Sequence, residues 1–129
     1  MQDQPTPSEV LTAVAQFLKN TVAPATTGHT SFQARVAANA LEMMRRHLDM
    51  APAAEAAEHD RLKAMLGMDA DLPTLNAELS RRIADGEMDL STPGLSDHLW
   101  TITLDKLAVD QPTYAAYRAS LAERGAAKD

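Results

Sequence analysis

Lys106 is the residue of this chain that most needs an explanation. The stretch 104–112 reads as the end of a helix stopped by Pro112. Wound at about 100° per residue, it sets Lys106 in the middle of an apolar stripe made by Leu95, Leu99, Ile102 and Val109. A lysine on such a stripe must reach water, find a partner or serve a site, because a buried unpaired ammonium is strongly unfavourable. Asp110 lies one turn on and Thr103 one turn back, both within reach on the same face. Asp105 points about 100° away, toward another helix. Lys106 would therefore either bind an anion, such as a phosphate, a carboxylate or a partner's acid, or snorkel and pair with Asp110 or Glu42 to fix helix register.

Arg35 and Asn39, also one turn apart, present a guanidinium fork and an amide that suit a carboxylate or phosphate. Alternatively, Asn39 satisfies a loop carbonyl while Arg35 pairs with Asp105 or Asp110. The sharper expectation is one polar cluster between two central helices: Arg35, Asn39, Asp105, Lys106 and Asp110, with Gln111 at the helix end. These six are the candidate binding residues.

Glu55, Glu58 and His59 extend the face of Leu62 and Leu66 and raise the question of a metal. A di-metal carboxylate bundle needs a Glu-x-x-His pair on each of two helices and two further glutamates. Here Glu55 and His59 are spaced differently and have no second copy, and His29, His47 and His98 share no ligand spacing with them. The zinc-protease pattern His-Glu-x-x-His is missing as well. These residues read as a solvated first helical turn, and no metal is expected. There is no Gly-x-Ser-x-Gly, no Gly-rich phosphate loop and no dinucleotide fingerprint, so neither a catalytic residue nor a cofactor is expected. The serines read as helix caps or exposed positions. Of the seven methionines, Met43, Met44 and Met65 fall at core-like spacing, although methionines also suit an adaptable binding surface.

Helices must position these residues. Aromatics make up 4% of the 129 residues, so alanine, leucine and methionine fill the core, a mixture that favours helix over strand. Thr6-Pro7-Ser8-Glu9 is a capping box opening a first helix that Pro24 ends near Val22. Thr30 and Gln33 suggest a second capping box, for a helix running to about Leu48 with a wide apolar arc. Pro52 is expected to begin a third helix and Gly67 to close it. Asp71 caps a fourth, with Leu72, Leu75, Leu79 and Ile83 as its stripe and Gly86 as its stop. A fifth starts at Ser91 or Thr92 and runs to about Val109, and a short last helix spans about 113–123. The expected fold is all-α, an antiparallel helical bundle of five to six helices in one domain over 1–129, with 1–5 and 125–129 frayed.

The net charge of −6 leaves no basic face for nucleic acid or an anionic membrane. Acidity concentrates toward the C-terminus: residues 1–64 hold seven acids and six bases, residues 65–129 eleven and six. Such a balance suits a basic partner or simple solubility. Without cysteine, a signal pattern or an apolar run of about 20 residues, the expectation is a soluble cytoplasmic protein.

Two segments carry a family resemblance. Phe32-Gln33-Ala34-Arg35-Val36-Ala37-Ala38-Asn39-Ala40-Leu41 and Leu104-Asp105-Lys106-Leu107-Ala108-Val109-Asp110-Gln111-Pro112 resemble the two signature stretches of a bacterial family, domain of unknown function 6285. The opening from Gln4 to Leu18 and Leu75-Asn76-Ala77-Glu78-Leu79 are similar to it too, so the resemblance covers nearly the whole chain. It implies no catalytic assignment. It does imply a genomic setting beside aminoglycoside-phosphotransferase-like kinases and acyl-CoA dehydrogenases.

The leading expectation is a non-enzymatic accessory module for such a metabolic enzyme, self-associating as a homo-oligomer, with a dimer favoured. It requires an exposed apolar patch or a substantial interface. The alternative is a binder of a small anionic ligand, acyl-CoA or carboxylate, or a weak enzyme, using Lys106, Arg35 and Asn39 in a concave pocket. A plainer reading is a homodimer whose polar cluster only fixes helix register.

Overall fold

A computed structural model describes residues 3–126, so of the stretches expected to fray, 1–5 and 125–129, residues 1, 2 and 127–129 lie outside the described residues, and residues 125–126 belong to the last helix. Among the described residues every regular element is helical, and the fold is all-α and bundle-like. The elements are α1 (Pro7–Phe17), a π-turn (Leu18–Val22), α2 (Ala23–Ala25), α3 (Gly28–Leu66), α4 (Leu72–Ala84), α5 (Leu95–Asp110) and α6 (Ala115–Ala126). They group into two compact units, Met1–Met50 and Ala51–Asp129, and α3 supplies residues to both.

In the first unit, α1 opens as the capping box requires. Thr6 Oγ1 accepts the Glu9 N–H and the Glu9 carboxylate accepts the Thr6 N–H at 2.7 Å. Pro24 does not end the helical path near Val22. The preceding turn widens instead, with the Ala23 N–H reaching back to the Leu18 carbonyl, and the chain stays helical through Ala25. A π-turn makes room for the pyrrolidine ring that would crowd a regular α-turn. Gly28, left-handed at φ 58°, then starts α3 after the two-residue link Thr26–Thr27. Thr30 therefore lies inside the helix rather than at its cap, which corrects the second capping box. Ser31 is buried, and its hydroxyl donates to the Ala23 carbonyl at 2.8 Å. Contacts from Ser8 to Asp49 and from Lys19 to Glu42 show that α1 and the first part of α3 run antiparallel. The buried positions here are small: Ala15, Ala23, Ala34 and Ala38.

Pro52 begins no helix; it lies inside α3, which is a single 39-residue element. An interior proline costs about 3 kcal/mol, because it forfeits one backbone bond and crowds a carbonyl one turn back. Ala51, Ala53, Ala54, Ala56 and Ala57 surround it, and extending an existing helix avoids a second costly nucleation. Pro52→Ala is accordingly expected to stabilise the chain by about 2 kcal/mol in urea unfolding, the regained helical term less about 1 kcal/mol for a freer unfolded chain.

The second unit holds the leucine core. Leu62 and Leu66 of α3, Leu75 and Leu79 of α4, Met88 of the connector and Leu95 of α5 pack into one cluster. Local signals at this end act as expected. Gly67 closes α3 at φ 68°, with its N–H bonded to the Lys63 carbonyl. Asp71 caps α4 by accepting the Thr74 N–H at 2.9 Å, and Gly86 follows the end of α4 at φ 73°. The start of α5 is corrected from Ser91 or Thr92 to Leu95. The Asp89 carboxylate accepts from the Ser91 N–H and hydroxyl, and Thr92 Oγ1 accepts the Asp89 N–H, so these side chains form a turn instead of a cap. Gly94 at φ 83° then leads into α5. The last helix begins at Ala115 and continues to Ala126.

At the end of α4, Glu78 bridges Arg81 and Arg82, and Arg81 also holds Asp85 and Glu87. Hydrogen bonds from Arg81 and then Arg82 lower the Glu78 pKa from 4.5 to about 2. Because the folded-state pKa is depressed, the stability it carries is present above 4.5 and is lost as the pH falls toward 2. The Glu78 carboxyl resonance should titrate near pH 2, and Glu78→Gln should flatten the loss of stability across that window.

Candidate functional site

The six expected binding residues divide between the units. Arg35 and Asn39 stand on α3 in the first unit, and both are exposed. Asp105, Lys106 and Asp110 occupy the last turns of α5, and Gln111 is its C-terminal cap, its N–H bonded to the Leu107 carbonyl. Asp105 is half-buried, while Lys106, Asp110 and Gln111 are exposed. Of the three outcomes open to Lys106, reaching water is the one observed. Its stripe is fully covered at one end only: Leu95 is buried and Leu99, Ile102 and Val109 are half-buried, whereas Leu104 and Ala108 are the buried residues near the end of α5. The buried face rotates along the helix and leaves Lys106 outside.

Of Glu55, Glu58 and His59, the last two find structural roles. Glu55 is exposed. Glu58 accepts a hydrogen bond from the Asn76 amide at 2.8 Å, and a ring nitrogen of His59 lies 2.9 Å from the Ala70 carbonyl. With Arg82 donating to the Leu66 carbonyl, these bonds latch the end of α3 to the segment that follows it.

Two other features have the character of sites. The first is apolar. On α1, Val10, Val14 and Phe17 share one helical face and are exposed. On α3, Phe32, Val36, Ala40, Met44 and Leu48 follow at four-residue spacing, all exposed, forming a ridge that winds about 40° per step. Phe32 is 61% exposed and Phe17 56%. The first unit thus buries alanines and shows large side chains to solvent, the reverse of what its own core would favour.

The second feature is a cleft of about 400 Å³ within the second unit. Arg61, Ala64 and Met65 of α3 form one wall, and Asp97, His98 and Thr101 of α5 form the other, with Pro93 and Gly94 between them. His98 is 1% exposed, and neither ring nitrogen has a hydrogen-bond partner among the described residues. Arg61 Nε and Nη2 are also buried without a partner. Burial lowers the His98 pKa, the charge of Arg61 adds to this, and Glu58 opposes it, so the imidazole is held neutral. Sequence reasoning set His98 aside for want of metal spacing and did not weigh Arg61. The available signal was positional: His98 lies one turn from Leu95 and so shares its core-facing side.

Fold and sites together define a small all-α protein of two helical units, one bearing an apolar ridge and the other a cleft lined by Arg61 and His98. The chain belongs to the family described as domain of unknown function (DUF6285), which matches residues 24–114. That span contains both signature stretches and Leu75–Leu79, and the similarity noted from Gln4 to Leu18 falls outside it. No curated protein and no solved structure matches the chain. No described helix is long and apolar enough to cross a membrane.

Proposed function

We propose that this chain is a non-enzymatic helical interaction module, an accessory subunit whose first unit docks on a metabolic enzyme. The observation that supports this reading is the exposed ridge of Phe32, Val36, Ala40, Met44 and Leu48 on α3, together with Val10, Val14 and Phe17 on α1. Side chains of this size gain about 1.5–3 kcal/mol each when fully removed from water, so a second protein surface is their natural cover. The resemblance points to a phosphotransferase-like kinase or an acyl-CoA dehydrogenase as that enzyme. Alone, the chain is expected to pair with itself through the same ridge, as a dimer.

A tagged pull-down from the native cell tests the reading, with Phe32→Glu/Val36→Glu as the comparison chain. Recovery of a kinase-like or dehydrogenase enzyme by the wild type but not by the variant supports it. Recovery by both moves the interface off the ridge. If only the chain itself returns, the accessory role is wrong. Lys106→Ala in the same assay tests whether the exposed end of α5 belongs to the interface.

A further inference from the structure

The cleft between α3 and α5 in the second unit combines features that a purely structural groove does not need. Four buried nitrogens, Nε and Nη2 of Arg61 and both ring nitrogens of His98, lack partners among the described residues. Buried polar groups are almost always satisfied, and each exception calls for an explanation. Nε and Nη2 are not an arbitrary pair: they form one edge of the guanidinium, whose two parallel N–H bonds match the two oxygens of a carboxylate. The neutral imidazole of His98 adds one further N–H donor in the same cleft. The rest of the cleft is mostly apolar, with Ala64, Met65 and Pro93 offering a surface for hydrocarbon. Asp97 also lines it, and its negative charge disfavours a dianion such as phosphate relative to a monoanion.

We propose that this cleft binds a small monocarboxylate with a short apolar body, its carboxylate held on the Nε/Nη2 edge of Arg61 and by His98, and its hydrocarbon against Met65 and Pro93. The site lies wholly within the second unit and is independent of the docking role given to the first. It also differs from the expected binding residues Lys106, Arg35 and Asn39, whose side chains are exposed. The volume of about 400 Å³ is ample for such a ligand.

The charged and titratable groups around His98 are Arg61 and Glu58 from α3 and Asp97 from its own helix. A bound carboxylate adds a negative charge and must raise the His98 pKa from its lowered value. Butyrate is the probe, titrated into the full chain while the His98 ring resonances are followed by NMR. Saturable shifts at His98, an upward move of its pKa and tighter binding at lower pH are expected. Butyramide, the neutral isostere, should produce none of these effects. Arg61→Met keeps the length of the side chain and should weaken butyrate about tenfold or more, while Arg61→Lys, which keeps the charge and loses the fork, should also bind more weakly. The proposal is overturned if butyrate leaves His98 unmoved, if butyramide acts equally, or if Arg61→Met binds as the wild type does. Inorganic phosphate binding as tightly as butyrate would overturn the assignment to a monocarboxylate.

Discussion

Leu62→Ala is expected to lower the unfolding free energy by about 3 kcal/mol in urea denaturation of the whole chain. Leu62 is 0% exposed and sits among Leu66, Leu75, Leu79, Met88 and Leu95, contributed by three helices and a connector. Truncation removes the transfer free energy of the lost carbons and leaves a cavity that fixed helices cannot fully close. A domain of this size is stable by only about 5–15 kcal/mol, so the loss is a large share of the total. Leu90→Ala is the matched control: the same atoms are removed from a side chain that is 77% exposed, and the change should stay within about 0.5 kcal/mol. A Leu62→Ala cost below about 1 kcal/mol would show that the core is not built around this residue.

The second large effect falls on binding instead of stability. Phe32→Glu/Val36→Glu should weaken the complex with the partner enzyme by at least about a hundredfold in a direct titration. Two apolar side chains cease to contribute, each worth about 1.5–3 kcal/mol on burial, and two carboxylates must be desolvated against the partner. Both positions are exposed, so the variant should unfold within about 0.5 kcal/mol per site of the wild type. A drop in binding without a drop in stability identifies the ridge as an interface. Equal loss of both would show instead that Phe32 and Val36 support the fold of the first unit.

What could be read directly from the residues has a common physical basis. The Thr6–Glu9 capping box, the Asp71 cap and the Gly67 stop are all closed by partners within a turn or two. Their geometry depends on the backbone alone, so spacing and residue type suffice. Pro52 suits the first position of a helix by residue type, and its place inside one depends instead on how strongly both flanks propagate. Ser91 and Thr92 had the chemistry of caps, and Asp89 claimed them for a turn.

Burial and partnership belong to the tertiary level. Periodicity placed Lys106 correctly on the stripe of Leu95, but which part of that stripe is covered depends on what packs along α5, and the covered face rotates before reaching Lys106. The ridge on α3 was visible as a wide apolar arc, and only the packing of Ala15, Ala34 and Ala38 in the first unit shows that its large side chains face solvent. Arg61 and His98 stand on different helices, separated by α4 and its flanking turns, and no local rule joins them. The sequence by itself therefore determined the all-α class, the Thr6 and Asp71 caps and the Gly67 stop, since helical bonds and such caps close within a turn. The tertiary structure alone decided which faces are covered and which distant side chains share a cleft, since that depends on contacts across long stretches of chain.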